Sequence, residues 1–194
     1  MSEKNLIINN REIEYHGVFK ASDIFNTINK ALEARGFGKR EKRSEEVVTD
    51  EGRKTYIELR PGKIKTNYMA FMIKIKIRLD NVTDVVKETD GVKKKCEQGD
   101  VSIAFDSWLM SDYETRWGQK VLVYFMKGFI NKYIYRWPME KGYPGELASD
   151  TAYIYGQLKK LFDSYNGGKT KAVSEKEIMD QVGKEIEMER DEEE

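Results

Sequence analysis

The clearest pattern in the chain runs from Phe71 to Leu79, where Phe71, Ile73, Ile75, Ile77 and Leu79 alternate with Met72, Lys74, Lys76 and Arg78. Side chains of a strand point to opposite faces in turn, so this segment predicts a strand that is apolar on one side and basic and wet on the other. The segment from Glu12 to Lys20 alternates in the same way, with Ile13, Tyr15, Gly17 and Phe19 together, and so does Val101 to about Met110, with Val101, Ile103, Phe105 and Leu109 together. Between the first two strands the period changes. Ile24, Phe25, Ile28, Ala31 and Leu32 recur at helical spacing, which predicts a helix over Asp23 to Arg35 with Ser22 as its N-cap and Gly36 and Gly38 beyond its end. Lys39 to Val48 is polar but β-capable, and Asp50-Glu51-Gly52 predicts a hairpin turn into Thr55, Ile57 and Leu59. Pro61-Gly62 suits a type II turn with a new strand starting near Lys63. Asp80-Asn81, Asp90-Gly91 and Gln98-Gly99 predict the turns of a meander.

Helical spacing returns after the strands. Trp117 to Trp137 is the longest helix candidate, with Leu122, Phe125, Phe129 and Tyr133 in one stripe and Pro138 beyond it. A second runs from about Asp150 to Tyr165 through Ile154, Tyr155, Leu158, Leu161 and Phe162. Asn166-Gly167-Gly168 then predicts a hinge, and Ser174 with Glu177 forms a capping box opening a helix over 174–190 with only Ile178, Val182 and Ile186 to bury. Residues 1–165 are thus expected to form one α+β domain. In it a curved antiparallel sheet of five to seven strands wraps the Trp117 to Trp137 helix, with one or two further helices behind it. Residues 166–194 are expected to be a mobile amphipathic tail able to engage a protein partner.

Strand, helix, a run of about five antiparallel strands and a long C-terminal helix, entered through "GVFKASDIFNTINKAL", resembles the helix-grip fold of the START-like (SRPBCC) superfamily over about Glu12 to Arg136. The resemblance is one of element order. It implies a hydrophobic cavity between sheet and helix, and its members include binders of lipids, hormones and polyketides as well as protein co-factors. Two departures stand out: one helix rather than two lies between the first strands, and a further helix and a charged tail follow the grip helix.

Composition narrows the function. The chain has 194 residues, and its 34 basic and 34 acidic side chains cancel, which excludes a uniformly basic nucleic-acid binder. Its distribution is uneven: residues 35–95 hold 17 basic and 10 acidic side chains, a balance of +7, and residues 166–194 hold 5 and 10, a balance of −5. Leu6 to Ile8 is too short for a signal-peptide core. Val121 to Met126 sits in a segment broken by Lys120, Lys127, Lys132 and Arg136, so no membrane-spanning helix is expected. A lone thiol, Cys96, fits a reducing cytoplasm. One cysteine and one histidine, His16, supply neither a disulfide nor a thiolate or histidine metal set, so neither metal nor cofactor is expected.

Two binding surfaces follow. The leading expectation is a non-enzymatic cytoplasmic protein holding a hydrophobic small molecule or lipid between Phe71, Ile73, Ile75, Ile103 and Phe105 of the sheet and Leu122, Phe125 and Phe129 of the long helix. The alternative is an interaction or adaptor protein that docks Lys74, Lys76 and Arg78, with Lys93, Lys94 and Lys95 and with Lys63 and Lys65 beside them, on RNA, a ribonucleoprotein or an anionic membrane surface. Catalytic features are sparse. His16 lies among Glu12 and Glu14, Cys96 follows three lysines, and Asp106, Asp112 and Glu114 cluster near a strand end, yet no base, oxyanion motif or glycine-rich phosphate loop accompanies them.

Overall fold

The structure, a computed structural model, describes residues 3–49, 52–66, 69–89, 92–111 and 142–166. In chain order these form β1 (Glu3–Phe19), α1 (Ala21–Ala34), β2 (Glu41–Thr49), β3 (Gly52–Leu59), β4 (Gly62–Ile64), β5 (Met69–Thr89), β6 (Val92–Ser111) and α2 (Tyr143–Asn166). The fold is α+β. Its six strands form one curved sheet in the order β1-β6-β5-β3-β2, with β4 paired to β5, and every pairing is antiparallel. The expected helix over Trp117 to Trp137 and the expected tail beyond Asn166 lie outside the described residues.

The alternating residues share the inner face as their spacing demands. Ile13, Tyr15 and Phe19 of β1, Phe71, Ile73, Ile75 and Ile77 of β5 and Val101, Ile103 and Phe105 of β6 are all buried in one cluster. Helix α2 packs on β1, β6 and α1, inserting Leu147, Ile154, Tyr155, Leu158 and Phe162. Tyr15 stacks on Phe162 with centroids 4.8 Å apart, and Tyr155 tilts against Phe105 at 6.1 Å. At about 1.5–3 kcal/mol per fully buried large side chain, this contact is what holds α2 to the sheet.

Three local expectations are corrected. Ser22 is not the cap of α1: the helix starts at Ala21, two residues before Asp23, Lys20 takes the extended cap conformation without a side-chain bond, and the Ala21 N–H donates instead to Glu97 Oε2 at 2.8 Å. Helix α2 begins at Tyr143, seven residues before Asp150, because Pro144 falls in the first turn, where a missing N–H costs nothing. The strand expected to start near Lys63 is instead the three-residue β4, and β5 begins separately at Met69. At the other end of α1, Gly36 (φ 74°) ends the helix as expected: its N–H donates to Glu33 O at 3.0 Å and that of Phe37 to Leu32 O at 2.9 Å, a Schellman arrangement that also buries Phe37.

The meander is corrected as well. Only Asp90-Gly91 separates two strands; Asp80-Asn81 and Gln98-Gly99 lie inside β5 and β6. Asn81 is an extra residue in β5 with φ 54°, so Asn81 and Val82 together oppose the single Gly99 of β6. Its neighbours on both sides are glycines. A Cβ on Gly99 would meet Asp80 O at 2.7 Å, and one on Gly52 would meet the Asn81 carbonyl carbon at 3.0 Å. Gly17 (φ 148°) continues the line as the partner of Gly99, so four adjacent strands bend where the chain has least bulk. A second bulge, at Asn10 (φ 47°), breaks the β1–β6 ladder between Ile8 and Arg11.

This line predicts opposite effects of one methyl group. Gly99→Ala should destabilise by about 2 kcal/mol and lower the thermal midpoint by about 4–8 °C, because the bulge backbone must move. Gly145→Ala, in α2 with nothing within 4 Å of the new Cβ, should leave the midpoint unchanged or raise it by up to about 3 °C. Thermal unfolding followed by circular dichroism compares the two.

Candidate functional site

The five sheet residues expected to line a cavity converge. Ile73, Ile75, Ile103 and Phe105 are 0 % exposed and Phe71 is 1 % exposed, in the same cluster as the α2 side chains. All five are thus buried side by side on the inner face of the sheet, where their alternation aims them. Their expected helical counterparts Leu122, Phe125 and Phe129 lie outside the described residues.

On the opposite face, Lys74, Lys76 and Arg78 occupy successive outward positions of β5, but they are not a free basic array. Asp106 of β6, opposite Lys74 in register, has its Oδ2 at 2.9 Å from Lys76 Nζ and 3.9 Å from Lys74 Nζ. The bulge at Asn10 delivers a backbone N–H to the other carboxylate oxygen at 2.8 Å, leaving Asp106 only 5 % exposed. One strand over, Glu58 pairs with Arg60 at 2.6 Å. Burial works to raise the pKa of Glu58, but Arg60 and Lys74 outweigh it and hold the carboxyl below the usual 4.5. Arg78 lies 5.9 Å from the centroid of the Tyr56 ring. A carboxylate on a neighbouring strand is invisible to a reading of one strand, and Asp106 is that carboxylate.

Lys63 and Lys65 do not join this face. Lys63 Nζ reaches Asp150 Oδ2 at 2.8 Å and Glu146 Oε1 at 3.2 Å, and Lys65 Nζ reaches Glu146 at 2.7 Å. Arg35, at the end of α1, approaches Asp150 at 3.7 Å and lies over the Tyr153 ring. These charges latch the first turns of α2 to β4 and α1. Asp150 is 3 % exposed, and its two cations compensate the burial of its carboxylate. Apolar burial supplies most of the attraction for α2, and the latch fixes where along the sheet its start must sit.

His16 Nδ1 is 2.8 Å from Asp100 Oδ1, and Asn81 Nδ2 donates to the other oxygen at 3.1 Å. The hydrogen bond to His16, then that from Asn81, holds the Asp100 carboxyl below its ordinary 3.8. The pair sits in a shallow, open depression with Glu14, Lys54, Asp80 and Ser102. The Ser102 hydroxyl donates to Glu12 rather than to His16. Among the described residues no group of three or more His, Cys, Asp or Glu has metal-site geometry. Cys96 is a half-buried free thiol opposite Val85. Asp112 and Glu114 lie outside the described residues.

The remaining cluster of lysines stands on a separate feature. Pairing of β6 to β1 ends at Glu97, and pairing of β5 to β3 ends at Val82. Beyond these points Thr83–Thr89 and Val92–Cys96 continue as a two-stranded ribbon with no further strand beside either edge among the described residues. Lys93, Lys94 and Lys95 lie on it, with Glu88 opposite Lys93, Lys87 opposite Lys94 and Val86 opposite Lys95. Glu97 pins its root, accepting from Arg53 at 2.6 Å as well as from the Ala21 N–H.

Fold and surfaces together define an α+β protein whose antiparallel sheet is covered by helices on one face and tiled with ion pairs on the other. No family model, curated protein or solved structure matches the chain. No helix among the described residues is long and apolar enough to cross a membrane.

The α2 latch carries a pH signature. Burial works to raise the Glu146 carboxyl, but hydrogen bonds from Lys65 and Lys63 hold it below 4.5; burial likewise opposes charge on Lys63, but Asp150 and Glu146 hold it above 10.5. A lowered carboxyl stabilises above its unfolded value and loses this as pH falls through the folded one. A raised ammonium stabilises below its unfolded value and loses this as pH rises through the folded one. The latch is therefore whole between about pH 5 and 10. Glu146 is partly exposed, which limits its share to about 1 kcal/mol. Glu146→Gln should thus lower the thermal midpoint at pH 7 by about 2–4 °C, and its difference from wild type should shrink as pH falls through the lowered native value of the carboxyl.

Proposed function

We propose that the chain is a non-catalytic interaction protein that reaches an RNA phosphate backbone with its β5–β6 ribbon. The observation that carries this reading is the ribbon itself: a lysine run placed clear of the core, while Lys74 and Lys76 on the sheet face are paired with Asp106. From Thr83 to Cys96 the ribbon has Lys87, Lys93, Lys94 and Lys95 against Asp84, Glu88 and Asp90, a balance of +1. Lys74, Lys76 and Arg78 contribute at most a weaker, secondary contact. No aromatic residue occurs between Val85 and Lys95, so recognition works through phosphates rather than base stacking.

A second reading, a START-like protein of the cytoplasm holding an apolar molecule between the sheet and a long C-terminal helix, draws on the unbroken apolar inner face. In it, Phe71, Ile73, Ile75, Ile103 and Phe105 separate to admit the ligand and close when it leaves. The burial of these five residues weighs toward the ribbon.

Fluorescence anisotropy with a labelled RNA hairpin discriminates. Binding should weaken by about 20–40-fold between about 50 and 200 mM salt, as neutralising about three phosphates implies. Lys93→Glu, Lys94→Glu and Lys95→Glu together should cost at least about tenfold in affinity, or about 1.4 kcal/mol. Undiminished RNA affinity in this triple variant rejects the ribbon. Binding to anionic vesicles without RNA binding moves the partner to a membrane, and a retained apolar adduct in native mass spectrometry favours the interior.

A further inference from the structure

Strand β2 is an edge of the sheet, and all nine of its residues are exposed, with Val47 at 58 % and Val48 at 78 %. Its side away from β3 presents backbone donors and acceptors with no strand beside them among the described residues. Edge strands of this kind are usually protected by charge, because copies meeting edge to edge bring like charges together. The charges of β2 are ordered differently. Lys42-Arg43-Ser44-Glu45-Glu46 is a charge palindrome: laid antiparallel on itself about Ser44, each cation meets an anion.

We propose that β2 pairs with β2 of a second copy of this chain across a two-fold axis at Ser44, joining two sheets into one. In that register Arg43 faces the partner's Glu45 and Lys42 faces the partner's Glu46, and the two-fold repeats both pairs. Neighbouring registers with the same face up fail. An axis at Arg43 sets Arg43 on its own copy and Glu41 on Glu45, and axes at Glu45 or Glu46 set those glutamates on themselves, each a like-charge contact that opposes pairing.

Within one chain Arg43 already holds Glu45 through contacts of 2.6 and 2.7 Å and lies 5.8 Å from the centre of the Tyr56 ring. The two groups therefore occupy one face at the spacing a four-membered ring of alternating charges needs. The irregularity between Glu41 and Arg43 ends the regular ladder on β3 at that point, so the new pairing is short. Exposed charge pairs are screened by salt, so the dimer is weak and salt-labile. A closed two-fold contact of this kind uses the same patch on both subunits and leaves no edge for further growth on this side. It involves none of the ribbon residues, so its fate is independent of the reading above.

Sedimentation velocity of the full chain tests it. The wild type at about 100 µM should be dimeric at about 50 mM salt and monomeric at about 500 mM. Lys42→Glu with Arg43→Glu, and separately Glu45→Lys with Glu46→Lys, should each give a monomer at low salt, since each makes the strand single-signed. An equimolar mixture of the two variants should restore a dimer of one copy of each. The substituted positions are all exposed, so the thermal midpoint of each variant should stay close to that of the wild type, and restoration in the mixture requires both to be folded. A wild type that is monomeric at low salt overturns the proposal, as does a dimer that persists in both single-signed variants or a mixture that remains monomeric.

Discussion

The β5–β6 hairpin cannot stand in water with Ile73, Ile75, Ile77, Ile103 and Phe105 all on one side of it, and most other features of the fold follow from covering that side. Strand β1 widens the apolar face with Ile13, Tyr15 and Phe19, and α1 and α2 close it. Because alternation has period two, a register slip of one residue would turn this set to solvent and the lysines of β5 inward. That penalty fixes the pairing of the long strands to a single answer. It also determines which charges meet on the far face, since Lys74 and Asp106 are cross-strand partners only in this register.

The bend comes from a different source. A bulge at Asn81 adds a residue to β5, and its neighbours Gly52 and Gly99 leave the room that the extra backbone occupies. Past this line β1 and β3 soon lose their pairing to the central hairpin, and the hairpin continues alone. The ribbon is thus rooted at the place where the sheet changes direction, and Glu97 ties that root to both the start of α1 and Arg53 of β3. Local backbone chemistry at a few positions thereby sets where the lysine run stands.

Much of the sheet was legible because its signals are local. Alternation placed the inner residues of β1, β5 and β6, helical spacing placed the buried stripe of α1, and Gly36 marked its end. What was illegible depends on chain-distant partners. Asp80-Asn81 and Gln98-Gly99 have the composition of turns, but a bulge in one strand and a glycine in the next together make them a bend within continuous strands. Ser22 is a good cap by type, yet Glu97, 75 positions away, serves Ala21 first. Lys63 and Lys65 looked like more of a basic face, and only the placement of α2, whose Glu146 and Asp150 lie more than 80 positions away, turns them into a latch. The five inner residues of the candidate cavity were identified, but a pattern of apolar positions describes a packed core and a lined cavity equally well.

The zero net charge acquires a physical meaning once the registers are known. Within the fold, cations and carboxylates neutralise each other: Asp106 with Lys76 across the β5–β6 ladder, Glu58 with Arg60 two residues along the chain, and Glu146 of α2 with Lys65 just after β4. A pair so placed is poorly available to a partner, because binding would first have to break it. Among the described residues the ribbon has no third strand beside it and β2 has none on its outer side, so unpaired backbone lies at these margins of the sheet. The proposed phosphate contact on the ribbon and the proposed strand pairing along β2 both fall at those margins.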